Sequence, residues 1–276
     1  MKRSLFLLLI LIASTAGADV VQPIGAAPQI LIAVAGSVAG ANGTFFRSDI
    51  ALLNLASHDQ MVVLQWLSQS GSAMAAAITL PAQSGMRSAD FVTDRLGQTG
   101  LGAILVTGVS SFTAGGPVVA DPSARLYASV RIWTPQQGTN GTTSQSLPAI
   151  PANTINTPTA ALFSVGGADE PPSYRTNVGI VNIDPTLTQT FVLTIVTPAP
   201  PGPPGPPPRL ISVTVPPMSM EQIPVGSGLT AGTQININPV SVNGGAVTTR
   251  WVAYGSTINN VTGDAWSELA VTGTQP

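Results

Sequence analysis

Side chains capable of nucleophilic or metal-assisted chemistry are few in this chain. Its only histidine is His58, in the polar stretch SHDQ, and it contains no cysteine. Imidazole metal ligands usually occur in sets, and a Ser-His-Asp triad would have to use His58. No serine occupies the G-x-S-x-G turn that exposes the nucleophile of many hydrolases. We therefore interpret His58 as a solvated turn residue, and we expect no metal site and no catalytic residue of these classes.

Carboxylates are the other candidates for chemistry. The chain has three glutamates and nine aspartates, without the D-x-D-x-D run that supplies the oxygen ligands of Ca²⁺. Asp90 and Asp94 are spaced for one helical turn, which is typical of a cap or a surface pair. A weak calcium site at Asp169 and Glu170 and a hydrolase with dispersed carboxylates stay as alternatives. The main prediction is a protein that is not an enzyme and uses no cofactor.

Aromatic rings and prolines are weaker candidates, for contacts with a polysaccharide or a protein partner. The possible contact residues are Trp66, Trp133, Trp251, Trp266, Pro204 and Pro207. Tryptophan and tyrosine can stack on sugar rings, but aromatic residues make up only 5% of the chain and most are needed for a core. We expect Tyr127 and Trp133 to lie on opposite faces of their strand, so that they do not form one platform.

The proline-rich segment TPAPPGPPGPPPRL (197–210) resembles collagen only briefly, because its glycine spacing ends after two triplets. It lies between two valine- and isoleucine-rich runs. We therefore interpret 198–208 as a stiff polyproline II hairpin loop. Recognition of this loop by a partner stays an alternative.

Charge excludes nucleic acid as a partner. Only 8% of residues are charged, and apart from Lys2 and Arg3 the cations are eight scattered arginines. Binding to phosphates requires a clustered basic surface. The N-terminal segment 1–18 has a basic start, a short apolar run and the small residues Ala16 and Ala18 before Asp19. This pattern predicts a cleaved signal peptide, hence a secreted, periplasmic or cell-surface protein, and no later run is long enough to span a bilayer.

An internal repeat organises the chain. Residues 46–55 read FRSDIALLNL and residues 174–183 read YRTNVGIVNI, and residue class matches at every position. Written as strands, each has an apolar face that ends in asparagine, Asn54 or Asn182. We expect both asparagines to bond backbone groups where the strand turns. Arg47 and Asp49, on the opposite face, are expected to form structural ion pairs with each other or with Arg125 and Arg131 of a later strand.

Further strands follow in both copies. The runs predicted as matching strands are 75–81 and 209–217, 102–108 and 233–238, and 124–133 and 248–258. The segment 88–97 is the one helix candidate, with Ser88 as its N-cap and Gly97 as its C-cap. Short strands between Gly, Pro, Asn and Ser turns predict an all-β fold of two tandem immunoglobulin-like antiparallel β-sandwiches. The predicted boundaries are 28–148 and 157–276, with a linker at 149–156.

These segments resemble a known repeat. FRSDIALLNL, GAILVTG and ARLYASVRIWTPQQGTNG are similar to tandem immunoglobulin-like β-sandwich repeats of secreted bacterial proteins that have no assigned function. The resemblance implies an exported module and offers no catalytic residue to transfer. The second copy departs from the pattern where Asn177 replaces Asp49 and where the proline-rich loop is added.

Together these features predict a secreted, non-enzymatic protein that acts as a cell-surface or extracellular interaction or structural module. Its partner would be an unknown extracellular protein or polysaccharide. A glycan-binding accessory module is the alternative, and a hydrolase is a more distant one.

Overall fold

Antiparallel strands dominate the structure, a computed structural model. It describes residues 25–69, 71, 73–136, 138, 140–165, 174–198, 205–227, 229–241, 244–260, 263 and 265–272. The predicted signal peptide 1–18, Pro204 and the calcium candidate at Asp169 and Glu170 lie outside these residues.

Valine, isoleucine, leucine and threonine at alternating positions favour pleated, half-buried strands throughout the chain. The strands of the first half are β1 (Gln29–Ala39), β2 (Phe45–Asn54), β3 (Gln60–Ser68), β4 (Ala73–Leu80), β5 (Ser84–Ser88), β6 (Gly100–Val109), β7 (Leu126–Pro135), β8 (Thr142–Pro148) and β9 (Ile150–Pro151). Those of the second half are β10 (Ala160–Val165), β11 (Tyr174–Asn182), β12 (Gln189–Val196), β13 (Arg209–Val215), β14 (Ser219–Ser227), β15 (Thr233–Val240), β16 (Trp251–Asn259), β17 (Ala265–Leu269) and β18 (Val271–Thr272). Short 3₁₀ turns form at Ala41–Gly43 and Ala152–Thr154.

The two halves pair their strands in the same order. In the second half, one sheet runs β13-β12-β15-β10-β18 and the other runs β14-β11-β16-β17. The first half repeats this as β4-β3-β6-β1, with β9 also on β1, and as β2-β7-β8, with β5 on the free side of β2. Every pairing is antiparallel. The predicted all-β class of antiparallel β-sandwiches is confirmed.

Strand β1 joins the two sheets of the first half. Its register against β6 shifts between Ile32 and Ala35, which is a β-bulge. Beyond the bulge, Ser37–Ala39 also pair with Phe45–Arg47 of β2. The first half is therefore one nine-stranded sheet folded on itself, whereas the described strands of the second half form two separate sheets.

Apolar rows of β2 and β11 face the two cores as predicted. Ile50 and Leu52 are fully buried in the first core, and Val178 and Ile180 in the second. In the second core the ring of Trp251 packs edge-to-face on Phe191, with centroids 4.8 Å apart.

The buried asparagines satisfy the backbone at corresponding turns. The Nδ2 group of Asn54 donates to the carbonyls of His58, Leu80 and Pro81 at 2.8, 3.2 and 3.1 Å. Asn182 makes the same three bonds, to Leu187, Val215 and Pro216 at 2.7, 3.2 and 3.1 Å. In both halves Oδ1 accepts the N–H two residues on, at 3.0 Å. The prediction for these residues is confirmed.

The helix candidate is shorter than predicted. Helix α1 covers Phe91–Leu96, with Asp90 at its N-cap and Gly97 in the left-handed conformation (φ 61°) at its C-cap. Ser88 is not the N-cap, because it ends strand β5. Its hydroxyl instead accepts the N–H of Asp90 at 3.2 Å and bonds to Asp94.

The segment between the halves is part of the first sandwich. Ile150 and Pro151 form β9 and pair with Leu31 and Ile30 of β1. Ala152 is fully buried in the first core. In the second half, β12 pairs directly with β13 up to Ile195 and Arg209, so the proline-rich segment connects two adjacent antiparallel strands.

Candidate functional site

The hydrophobic core of the first half includes side chains of the second half, so the two halves share this core. Val181, Ile183, Met220 and Tyr254 of the second half are buried in the core of the first half. Val181, Met220 and Tyr254 lie on one face of the sheet β14-β11-β16-β17, because the register pairs Val181 with Met220 and Gly179 with Tyr254. This outer face therefore packs against the first sandwich instead of facing solvent.

Tyr254 is the largest side chain of this junction. It is fully buried, and its hydroxyl donates to Oε1 of Gln222 at 2.9 Å. Burial raises the pKa of Tyr254, so the phenol stays protonated. Its ring crosses the neighbouring strand at Gly179, where an added Cβ would lie 2.0 Å from the ring. Glycine at this position makes the close packing possible.

Polar contacts frame the junction. Gln145 of β8 and Ser256 of β16 hydrogen-bond at 3.0 Å, and Ser267 of β17 donates to the carbonyl of Ser146 at 3.1 Å. Glu221 of β14 accepts a hydrogen bond from Gln69, while burial raises the pKa of its carboxyl. The junction thus combines apolar packing with hydrogen bonds between strands of the two halves, which fix their relative position.

The corresponding face of the first half is open and charged. The register of β2 with β7 places Arg47 across from Trp133 and Asp49 across from Arg131. Arg87 binds Asp49 through two bonds, Nε to Oδ1 at 2.8 Å and Nη2 to Oδ2 at 2.6 Å. This bidentate pair lowers the pKa of Asp49, with a smaller contribution from the charge of Arg131.

Arg47 has different partners from those predicted. It does not pair with Asp49 but lies 3.4 Å from Asp90. Its guanidinium lies over two rings, 4.7 Å from the centroid of Phe45 and 5.5 Å from that of Trp133. Arg47 and Asp49 both form structural ion pairs, but the predicted partners are wrong: Arg47 pairs with Asp90 and Asp49 pairs with Arg87. The sequence did not indicate Asp90 and Arg87 because both lie outside β2 and β7.

The tryptophans named as possible contacts divide into two groups. Trp66 and Trp251 are 2% and 0% exposed, so the prediction of partner contacts is wrong for these two, because both fill a core. Trp133 and Trp266 are partly exposed. Pro207, in the loop before β13, is exposed.

Tyr127 and Trp133 share one face, contrary to our expectation. Six residues separate them, an even number, and they pair with Leu53 and Arg47 of the same outer row of β2. Both are partly exposed. Strand geometry separates their Cα atoms by about 20 Å. Together they border the open face, with the arginines between them.

The residues weighed for catalysis do not converge. His58 is exposed, and its carbonyl serves the Asn54 turn. Within the described ranges, no three His, Asp or Glu side chains are grouped closely enough to hold a metal ion. The α-helix in the described part of the chain has six residues, and no helix there could span a membrane.

A cleft of about 220 Å³ opens where the two halves meet. From the first half it is lined by Val34, Phe46, Gln69, Leu101, Ile132 and Gln145, among others. From the second half it is lined by Arg175, Asn177, Gln222, Ser256 and Ile258. No sequence pattern within either copy predicted this cleft, because it forms only when the copies pack together.

No protein-family description and no curated protein matches this chain. Among solved structures, a red sea bream transglutaminase aligns at 13% identity with a TM-score of 0.18. The alignment covers 88% of this chain and 32% of that one, so this chain spans about a third of its length.

Proposed function

We propose that this chain is a secreted, non-enzymatic interaction module made of two copies of one β-sandwich, acting at the cell surface or outside the cell. The observation that carries the proposal is the shared core. Because Val181 and Tyr254 are buried in the first sandwich, the two halves hold their outer faces in a fixed relative position. A rigid scaffold that displays surfaces and loops suits recognition.

The state of the carboxylates supports a role without catalysis. Glycosidases need a carboxylic acid and a carboxylate with pKa values pushed apart across one cleft. Asp49 is held ionised by Arg87, and Asp184 accepts bonds from the N–H groups of Thr186 and Leu187 at 2.9 Å. Glu221 has a raised pKa, but its oxygen bonds Gln69 at the junction. These carboxylates stabilise the fold.

Export is tested by N-terminal sequencing. When the full chain is expressed with a functional secretion pathway, the exported protein should begin at Asp19. A variant with Leu8→Arg in the apolar run should stay inside the cell with its N-terminus intact. Accumulation of the unprocessed wild-type chain in the cytoplasm would contradict the proposal.

The open face favours glycan binding as the second candidate. Trp133 and Tyr127 lie on one exposed face with Arg47 between Phe45 and Trp133, an arrangement suited to stacking on sugar rings. Titration with a broad polysaccharide panel should change tryptophan fluorescence. The change should be lost in Trp133→Phe and kept in Trp66→Phe, where the replaced ring is buried. No response across the panel would exclude this candidate.

A further inference from the structure

The lining of the junction cleft corresponds position by position to the open face of the first half. Aligning β2 with β11, and following the registers to the neighbouring strands, pairs five positions of the two faces. On the open face these positions hold Arg47, Asp49, Arg87, Arg131 and Trp133. In the cleft they hold Arg175, Asn177, Gln222, Ser256 and Ile258. One arginine is kept, and the carboxylate and the two other arginines are replaced by neutral side chains.

Arg175 consequently has no carboxylate counterion among the described residues. In the first half, Arg47 has Asp90 at 3.4 Å. Within the described residues, no carboxylate lies within salt-bridge distance of Arg175, and its guanidinium donates one hydrogen bond, from Nη1 to Oδ1 of Asn260. Burial lowers the pKa of Arg175, as expected for a partly desolvated charge. A guanidinium has five N–H donors, and for most of those of Arg175 no protein partner is found within the described residues.

The surrounding polar groups suit an anion. Gln222 accepts from Tyr254 through Oε1, so its Nε2 group is a donor. Asn177 lines the same wall, and none of the described residues that line the cleft carries a carboxylate. Glu221 hydrogen-bonds the lining residue Gln69. A partly buried cation is costly unless an anion compensates it. Asn177, two residues from Arg175 on the same strand face, can share a carboxylate with it.

The opposite wall, from the first half, is largely apolar. Val34, Phe46, Leu101 and Ile132 line it beside Gln69 and Gln145, and Ile258 adds an apolar side chain from the second half. The volume of about 220 Å³ exceeds the ~150 Å³ of an engineered cavity that accepts benzene. The cleft thus has room for a small ring or short chain beside the carboxylate.

We propose that the junction cleft binds a small organic monocarboxylate, with its carboxylate on the guanidinium of Arg175 and its apolar body against Leu101 and Ile132. The ligand touches both halves, so it stabilises their junction. This site does not depend on the surface role proposed above, because it lies between the sandwiches rather than on the open face.

Benzoate and its neutral analogue benzamide test the proposal by isothermal titration of the chain without residues 1–18. Benzoate should bind at least about tenfold more tightly than benzamide, since a charge-assisted bidentate contact contributes more than a neutral one. Arg175→Gln should abolish this preference. The matched variant Arg47→Gln, at the corresponding position of the open face, should leave it unchanged.

A second variant keeps the test decisive if Arg175→Gln does not fold. Asn177→Asp restores the carboxylate found at the corresponding position of the first half and retains Arg175. It should weaken the affinity for benzoate by about tenfold or more and leave the affinity for benzamide unchanged. Absence of benzoate binding, equal binding of benzamide, or equal benzoate affinity in wild type and Asn177→Asp would each overturn the proposal. Binding of chloride without binding of benzoate would also overturn it.

Discussion

Corresponding outer faces of the two sandwiches have opposite environments. The face of β2, β5 and β7 is open, whereas the face of β11, β14 and β16 is buried against the other half. The strand pairings are the same, so side chains make the difference. The changes that create the buried face are Gly179 for Ala51, Met220 for Gly85 and Tyr254 for Ser129. Few positions on a common framework therefore decide whether a sheet face binds protein or meets solvent.

The second sheet of each sandwich shows the reverse pattern. Gln60 and Gln189 make the same bonds and fix the correspondence of β3 with β12. By the registers of β6 and β15, Leu105, which is 4% exposed, corresponds to the partly exposed Asn236. Ala103, fully buried, likewise corresponds to Gln234. The covered face is apolar and the open face is polar.

The largest expected effect comes from replacing Tyr254 at the junction with serine, the residue found at the corresponding position of the first half, Ser129. Tyr254→Ser removes a fully buried ring and leaves Gln222 without its donor. We expect a loss of about 4 kcal/mol in the free energy of unfolding. The control Ser129→Ala, on the open face, should change it by less than about 0.5 kcal/mol. Urea unfolding measures both, and similar small losses would contradict the comparison.

Gly179→Ala tests the close approach of the ring. The added methyl would lie 2.0 Å from Tyr254, so we expect a loss of about 2–3 kcal/mol from overpacking. Combined with Tyr254→Ser, which recreates the Ala51 and Ser129 pair of the first copy, the substitution should cost less than about 1 kcal/mol. Additive costs in this double-mutant cycle would show that the two residues are not coupled.

Removal of the charge pair should have a smaller, pH-dependent effect on the open face. The pKa of Asp49 is lowered in the folded state, so the pair contributes stability above the unfolded pKa, about 3.9. That contribution disappears as pH falls through the lower, folded-state pKa. Asp49→Asn should therefore cost at most about 1 kcal/mol at pH 7, and progressively less as the pH falls below about 3.9. Asn177→Ala, at the uncharged position that corresponds to Asp49, should change the free energy of unfolding by an amount that does not depend on pH. A pH-independent difference for Asp49→Asn would contradict this account.

The smallest effect concerns the exposed aromatic. Trp133→Phe should alter stability by less than about 0.5 kcal/mol but reduce the acrylamide-quenchable share of tryptophan fluorescence. Trp66→Phe should instead raise that share, because it removes a buried ring that acrylamide does not reach. Equal loss of quenching in the two variants would contradict the assigned exposures.

Alternation of apolar residues was enough to predict the long strands, both cores and the Asn54 and Asn182 turns. It could not reveal β5, because the polar edge strand SGMRS (Ser84–Ser88) lacks an apolar row. It also missed β14, whose alternation is interrupted by Pro224 and by a register shift against β11. The alternation of apolar residues also gave no indication of the junction between the halves. Residue class matches between Ala51 and Gly179, and the structural consequence of that difference appears only beside Tyr254.

The central claim, that one core joins both halves, is tested most directly by calorimetry of the chain without residues 1–18. The wild type should unfold in a single transition whose calorimetric and van't Hoff enthalpies agree, and Tyr254→Ser should separate it into two. Two independent transitions in the wild type, unaffected by Tyr254→Ser, would contradict the claim.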